Sequence, residues 1–132
     1  NYTGLGQSLQ FLIPKIVDHA RRKTSVIELG NLDVDRDFSD ARDVAAAYVR
    51  LLELAPVGGV FNVGSGRTHS LREVIERVQA ISGHTMPVRV NPAFVRANEV
   101  RTLRADTTAL EAAIGEWRQH SLDDTLRWML QS

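Results

Sequence analysis

Apolar residues recur at helical spacing in five separate runs of this chain, and residues that start or stop helices bracket each run. The first run is Leu9, Leu12, Ile13, Ile16, Val17 and Ala20. It contains Pro14, which fits only the first turn of a helix, so the regular part begins near Leu12 or Ile13. Arg21, Arg22 and Lys23 close it, where cations suit the helix dipole. The second run, Val44, Tyr48, Leu51, Leu52 and Ala55, is capped by Ser39 or Asp40 and ended by Pro56 with Gly58 and Gly59. Leu71, Val74, Ile75 and Val78 follow a Ser70/Glu73 capping box and stop at Gly83. A short run, Leu110, Ala113 and Ile114, lies between a capping Asp106 and Gly115. Ser121 caps the last one, which carries Leu122, Leu126, Trp128 or Met129, and Leu130.

Short extended segments separate these helices, at residues 26–29, 60–63 and 86–90. The order of elements gives an α/β class, a helix-rich α+β arrangement of about five helices with too few strands for a complete doubly wound sheet. With 132 residues, 43% of them apolar, the chain is one domain with room for a real core. Sixteen basic residues balance sixteen acidic ones. That balance argues against a nucleic-acid or membrane-surface partner, since either wants a basic excess, and makes any basic site a local one. There is no cysteine, no apolar run near the ~20 residues of a membrane span and no signal-like start, so a cytoplasmic protein is expected. The first residues, NYTGLG, lack an initiator methionine and read like the inside of a protein, which sets the expectation of a fragment.

Residues 30–44, GNLDVDRDFSDARDV, hold five aspartates among two arginines and one aromatic, then run straight into the second helix. Arg36 sits between Asp35 and Asp37. Two readings fit. One is a polar turn before a helix N-terminus. The other is a loop whose carboxylates brace a guanidinium over an anionic ligand, against the rotamer entropy of roughly 2 kcal/mol that such a side chain loses. A second polar stretch, residues 91–106, places Arg96 and Glu99 three apart with no amphipathic pattern. An arginine can fork onto a phosphate and a glutamate can accept from two vicinal hydroxyls, so the pair describes a ribose-diphosphate binder. It equally describes an exposed ion pair worth about 0–1 kcal/mol.

Gly64-Ser65-Gly66 follows a strand and precedes a helix but lacks the third glycine of a dinucleotide fingerprint and the Lys-Ser/Thr of a P-loop, so it reads as a tight turn. His19, His69, His84 and His120 are dispersed without ligand-type partners, and no metal site is expected. No Ser sits in a nucleophile elbow.

Taken in order, NYTGLGQ, FLIPKIV, GNLDVDRDFSDARDVAAAY, GVFNVGSG, SLREVIE, RANEVRTLRAD and IGEW resemble the C-terminal half of extended short-chain dehydrogenases of the NAD-dependent epimerase/dehydratase family, which act on nucleotide-diphosphate sugars. The resemblance spans essentially the whole chain. It is nearest to GDP-4-dehydro-6-deoxy-mannose reductases, then GDP-mannose 4,6-dehydratases, then other sugar-nucleotide epimerases. It implies that Asn1 meets the sugar diphosphate, that Ile13 and Lys15 border the nucleotide base, and that Gly30, Asn31 and Leu32 form the turn along it. It implies that Arg36 and Arg96 face the phosphates and that Glu99 accepts from the ribose hydroxyls. Leu5 departs from the family's usual proline in its loop.

The family's glycine-rich cofactor motif and its Tyr-x-x-x-Lys pair do not occur here; Leu51 and Leu52 follow Tyr48 where the lysine would stand. The resemblance therefore implies a nucleotide-sugar-binding domain over residues 1–132, with no catalytic residue, and a partner Rossmann domain absent from the chain. The fragment alone would bind no cofactor, and the intact enzyme would use NAD(P)(H). Alternatives are a dehydratase or 4-epimerase, or a non-catalytic nucleotide-binding or oligomerising module. Segments 60–63 and 44–52 would be left uncovered and could drive homo-oligomerisation.

Overall fold

A computed structural model describes residues 1–54 and 57–131. Ala55 and Pro56, placed by sequence at the end of the second helix, lie outside the described residues. In chain order the elements are β1 (Tyr2–Thr3), α1 (Leu12–Arg21), β2 (Ile27–Leu29), β3 (Asp35–Asp37), β4 (Ser39–Asp40), α2 (Ala41–Leu54), β5 (Thr68–Ser70), α3 (Leu71–Ser82), β6 (Val88–Val90), β7 (Thr102–Leu103), α4 (Thr108–Ile114) and α5 (Leu122–Leu130). A 3-10 turn, Pro92–Phe94, separates β6 from β7. This is the mixed α/β fold expected, with five α-helices among the described residues.

The helices start and stop where their chemistry directs. Pro14 is the third residue of α1, inside its first turn. The Ser70 side chain accepts from the Glu73 amide and Gly83 ends α3 with φ +68°. Glu73 does not complete the capping box, because its carboxylate is taken by Arg77 and His69. Ser121 and Asp124 do form a full capping box on α5. The Asp106 carboxylate accepts from the Thr108 amide and hydroxyl ahead of α4. These hydrogen bonds hold the Asp106 and Asp124 carboxyls below the usual carboxylate range.

Two apolar clusters fill the interior. The larger packs Ile13, Ile16, Val17 and Ala20 of α1 against Val74, Ile75 and Val78 of α3 and Leu126 and Met129 of α5, with Ile27 and Leu29 of β2 beneath. The smaller joins α2 to α4 through Ala47, Leu110, Ile114 and Trp117. The Asp43 carboxylate, almost fully buried, clasps the loop before α5 by accepting from the Gln119 and His120 amides and pairing with the His120 ring at 2.6 Å.

Sequence and structure differ most at α2, at residues 60–63 and at residues 30–44. Tyr48 and Leu52 of α2 face outward, 55% and 89% exposed, because the buried stripe runs through Asp43, Val44 and Ala47 and leaves them on its flank. Residues 60–63 form no strand; Val60 is 92% exposed and no segment of the described chain pairs with it. Conversely, residues 30–44 contain two strands. β3 is the centre of a three-stranded sheet, antiparallel to β5 and parallel to β7, and β4 lies parallel to β1. The Asp-Arg-Asp sequence of β3 carries no apolar alternation, so the periodicity rule misses it. The remaining two-stranded sheet pairs β2 with β6 in parallel. No helix among the described residues is long and apolar enough to cross a membrane.

Candidate functional site

Strand β3 organises the site through its alternation of faces. Asp37, 3% exposed, turns into the molecule. Its carboxylate accepts from Ser65 N (2.8 Å), Ser65 Oγ (2.6 Å), Gly66 N (2.9 Å) and Ala105 N (3.1 Å). The Gly-Ser-Gly segment is therefore a tight turn whose amides are occupied by this chain's own carboxylate. A side chain at Gly64 would lie 2.4 Å from the Ala105 Cβ, so the close approach requires glycine there.

Arg36 takes the opposite face and lines a cleft of ≈ 850 Å³. Its flanking carboxylates do not brace it, contrary to one of the two sequence readings, because alternation turns them away: Asp37 serves the turn and Asp35 accepts from Thr102 Oγ1. Arg36 Nη1 instead donates to the carbonyls of Asp35 (2.9 Å) and Arg101 (3.3 Å), and Nη2 donates to Glu99 Oε1 at 3.3 Å. A guanidinium has five N–H donors, so at least two have no partner among the described residues.

The Arg96/Glu99 ion pair, one of the two readings of their spacing, does not form. Glu99 binds Arg36, and its Oε2 is buried and accepts nothing among the described residues. Arg96 is exposed at the cleft with no ion-pair or hydrogen-bond partner among the described residues.

The other wall comes from α1 and the turn after β2. Lys15 Nζ donates to the Glu28 carbonyl at 2.7 Å and stands 5.0 Å from the centre of the Phe94 ring. Ile13 is buried in the floor. Gly30 lies against the Phe94 backbone, where a Cβ would fall 2.5 Å from the carbonyl oxygen. Asn31 Oδ1 accepts from the Asp33 amide. At the cleft's end, the Asn1 α-amino group and Nδ2 both donate to the Asp37 carbonyl, at 2.8 and 3.4 Å, while the Asn1 carbonyl accepts from Ser39 N. Every expected site residue thus reaches this cleft except Leu32, which packs on the larger core instead.

Sequence reasoning missed Phe94 and Phe11, 51% and 56% exposed along the cleft. Phe94 had a signal: a large aromatic in a polar loop, two residues before Arg96. Three cations, Lys15, Arg36 and Arg96, face one carboxylate, Glu99, in a chain of zero net charge. That local excess suits a polyanion with an apolar, ring-like portion. Among the described residues, no group of carboxylates and histidines could hold a metal ion.

Comparison with known proteins places the fold in a family. The family model for GDP-mannose 4,6 dehydratase matches residues 1–129. The chain belongs to that family, among the NAD-dependent epimerase/dehydratase members of the extended short-chain dehydrogenases. It is 34% identical over 135 residues to the GDP-6-deoxy-D-mannose reductase of Pseudomonas aeruginosa, an alignment that covers 98% of this chain and 44% of that protein. A crystal structure from Burkholderia cenocepacia J2315, provisionally described as an epimerase, superposes on 99% of the chain with a TM-score of 0.96 and 51% identity, covering 43% of its own length. The structure of RMD from Pseudomonas aeruginosa, complexed with NADPH, matches 99% of this chain and 45% of its own, with a TM-score of 0.91 and 33% identity. The chain spans less than half the length of each.

Proposed function

We propose that this chain is the nucleotide-sugar-binding part of an NAD(P)H-dependent oxidoreductase, and that the intact protein is a GDP-4-dehydro-6-deoxy-mannose reductase acting on a C4 ketone. The observation that carries the reading is the cleft itself, where Arg36, Arg96 and Lys15 gather around a single carboxylate beside two exposed aromatic rings. Arg36, held by two carbonyls, and Arg96, unpartnered among the described residues, suit the two phosphates. Glu99 suits the ribose hydroxyls. The base lies between Ile13, Lys15 and the residue 30–31 turn. The 34% identity to a GDP-6-deoxy-D-mannose reductase supports the choice of substrate.

The nicotinamide cofactor does not fit the residues of this chain. The one glycine-rich turn spends its amides on Asp37, and no tyrosine is followed by lysine at the Tyr-x-x-x-Lys spacing. Cofactor binding and bond-making belong to a further domain of the parent protein. Uncovered apolar side chains on α2 and at Val60 supply a seat for that domain: Tyr48, Val49, Leu52 and Val60 are all more than half exposed.

Binding is tested by titrating GDP into the intact protein and its Arg36→Ala and Arg96→Ala variants. Loss of one charge-assisted phosphate contact should weaken binding by about 1.5–3 kcal/mol. Unchanged affinity in both variants would overturn the reading. A second reading, a 4-epimerase or 4,6-dehydratase, draws on the provisional description of the 51%-identical structure and on the family model. Product analysis with GDP-mannose against its 4-keto derivative plus NADPH separates the three.

A further inference from the structure

The segment that leads out of β1 is gripped from two sides, by α2 and by α5. Gly4 is buried, and a Cβ there would stand 3.0 Å from the Ala41 Cβ and 3.1 Å from Trp128 Cζ3. Ordinary contact between carbon atoms is about 3.5–4.0 Å, so the approach is one that glycine alone permits without a shift. Beside it Thr3, 3% exposed, donates from Oγ1 to Gln7 Oε1 at 2.8 Å and lies 3.8 Å from Met129 Sδ. Gln7 Nε2 in turn donates to the Tyr2 carbonyl at 3.2 Å.

The indole that presses on Gly4 is itself held. The Arg42 guanidinium lies over it, 3.9 Å from the ring centroid, and forks onto Asp40 from Nε to Oδ1 at 2.9 Å and from Nη2 to Oδ2 at 2.7 Å. The Asp40 carboxylate, closed to solvent, also accepts from Thr125 Oγ1 of α5 at 2.7 Å. One carboxylate on β4 therefore ties the start of α2 to α5 and fixes the ring between them. The ladder that places β1 has only two pairs, Tyr2 with Ser39 and Thr3 with Asp40. So short a ladder is weak by itself, and the contact of Gly4 with Trp128 and Ala41 supplies what it lacks.

Asn1, Tyr2 and Thr3 line one end of the cleft. Lys15, the turn at residues 30–31, Arg36 and Arg96 lie on other elements, and none of them takes part in the chain from Asp40 through Arg42 to Trp128. Resting on the nucleotide-sugar reading above, we propose that Trp128 is a positioning residue for the sugar. Through Gly4 it sets where residues 1–3 stand at the sugar end of the cleft, and it leaves the hold on the nucleotide alone. A Cβ forced into that contact displaces the segment by roughly 0.5 Å, its shortfall from ordinary contact. Misplacement by about 1 Å can cost about 100-fold in rate, so a displacement half as large should cost about tenfold.

The test compares the intact protein with its Gly4→Ala, Trp128→Phe and doubly substituted variants. Turnover is read as NADPH oxidation with the GDP-linked 4-keto sugar, and nucleotide affinity as calorimetric titration with GDP. Gly4→Ala should lower kcat by about tenfold while GDP affinity stays within about twofold of wild type. Trp128→Phe lacks the Cζ3 and Cη2 atoms that the new Cβ would meet, so the double variant should recover at least about threefold of the lost kcat. Trp128→Phe alone, a milder change, should lose about threefold in kcat at unchanged GDP affinity, and it carries the test even if Gly4→Ala fails to fold. Unchanged kcat in the single variants, GDP affinity that falls in step with kcat, or a double variant no better than Gly4→Ala overturns the positioning role and leaves the nucleotide reading intact. A wild-type protein that neither binds GDP nor turns over the 4-keto sugar overturns the nucleotide-sugar reading and the positioning role with it.

Discussion

The Asp37→Asn substitution puts the organisation of the site to a quantitative test. In the wild-type chain Oδ1 accepts from the Ser65 amide and hydroxyl, and Oδ2 accepts from the Gly66 and Ala105 amides. Asparagine keeps one acceptor oxygen and places an NH₂ group against the other two donors. Two backbone N–H groups then lose their partner and face a donor. Each buried orphan costs about 1–3 kcal/mol, and the partial exposure of Ser65, Gly66 and Ala105 lets water recover some of it. The net loss should be about 2–4 kcal/mol, a large part of the 5–15 kcal/mol typical of a domain. At about 3–5 °C per kcal/mol for a chain of this size, the melting temperature should fall by roughly 10 °C.

Asp35→Asn is the matched control. It lies on the same strand, and its carboxylate accepts one exposed bond from Thr102 Oγ1 at 3.0 Å, so less than about 1 kcal/mol is at stake. Thermal unfolding followed by circular dichroism compares the two. Equal shifts would refute the claim that Asp37 ties residues 65–66 and 105 to the strand that presents Arg36.

Other outcomes follow from the same structure. Gly30→Ala should cost about 1–3 kcal/mol and weaken nucleotide binding, since the new Cβ meets the Phe94 carbonyl, a backbone atom that yields only by moving the wall; a crystal structure with that wall unmoved would count against it. Burial pushes the Asp40 carboxyl up, but hydrogen bonds from Arg42 and Thr125 outweigh it, and Arg77 and His69 do the same for Glu73, so both sit below the usual range. A folded-state value below the unfolded one stabilises the chain above the unfolded value, and that contribution is lost as pH falls through the lower, folded value. Melting temperature should therefore be flat above about pH 5 and drop below about pH 4, less steeply in Asp40→Asn; a flat profile down to pH 3 would exclude these groups as the cause. The 132-residue chain in isolation should self-associate through Tyr48, Val49, Leu52 and Val60, and a clean monomer by light scattering would show that this face needs no cover.

Helices were the legible part of the sequence because caps and 3.6-residue periodicity are local signals: Ser70, Gly83, Ser121 and Gly115 act within a turn of their own position. Strands were not. β3 owes its existence to β5 and β7, whose registers pair Arg36 with His69 and Leu103, and nothing in Asp-Arg-Asp announces partners so far along the chain. Residues 60–63 illustrate the reverse, an apolar, β-prone segment that stays unladdered for want of a neighbour. At the site, family resemblance picked out side chains that, except for Leu32, line one cleft, and chemistry alone left two readings of the Arg96/Glu99 spacing open. Arg96 and Glu99 are near in sequence, yet Glu99 pairs with Arg36, because the β3–β7 ladder brings Arg36 to it in a largely buried place while Arg96 remains in solvent.

The distances in sequence between the walls of the cleft also bear on how the protein is made. Asn1 is joined to Asp37 across 36 positions, and Arg36 to Glu99 across 63. Loop closure of that length must be met before any contact rewards it, so the cleft belongs to the late, slow portion of folding, after the local helices have formed. A ligand that needs Arg36, Glu99 and Arg96 together has no affinity for a chain in which only α1 and α3 have docked. If the cleft takes nucleotide as proposed, nucleotide in the surrounding solution would also act on the protein's lifetime, drawing nascent chains into the finished state and shielding them from proteolysis, quite apart from any turnover.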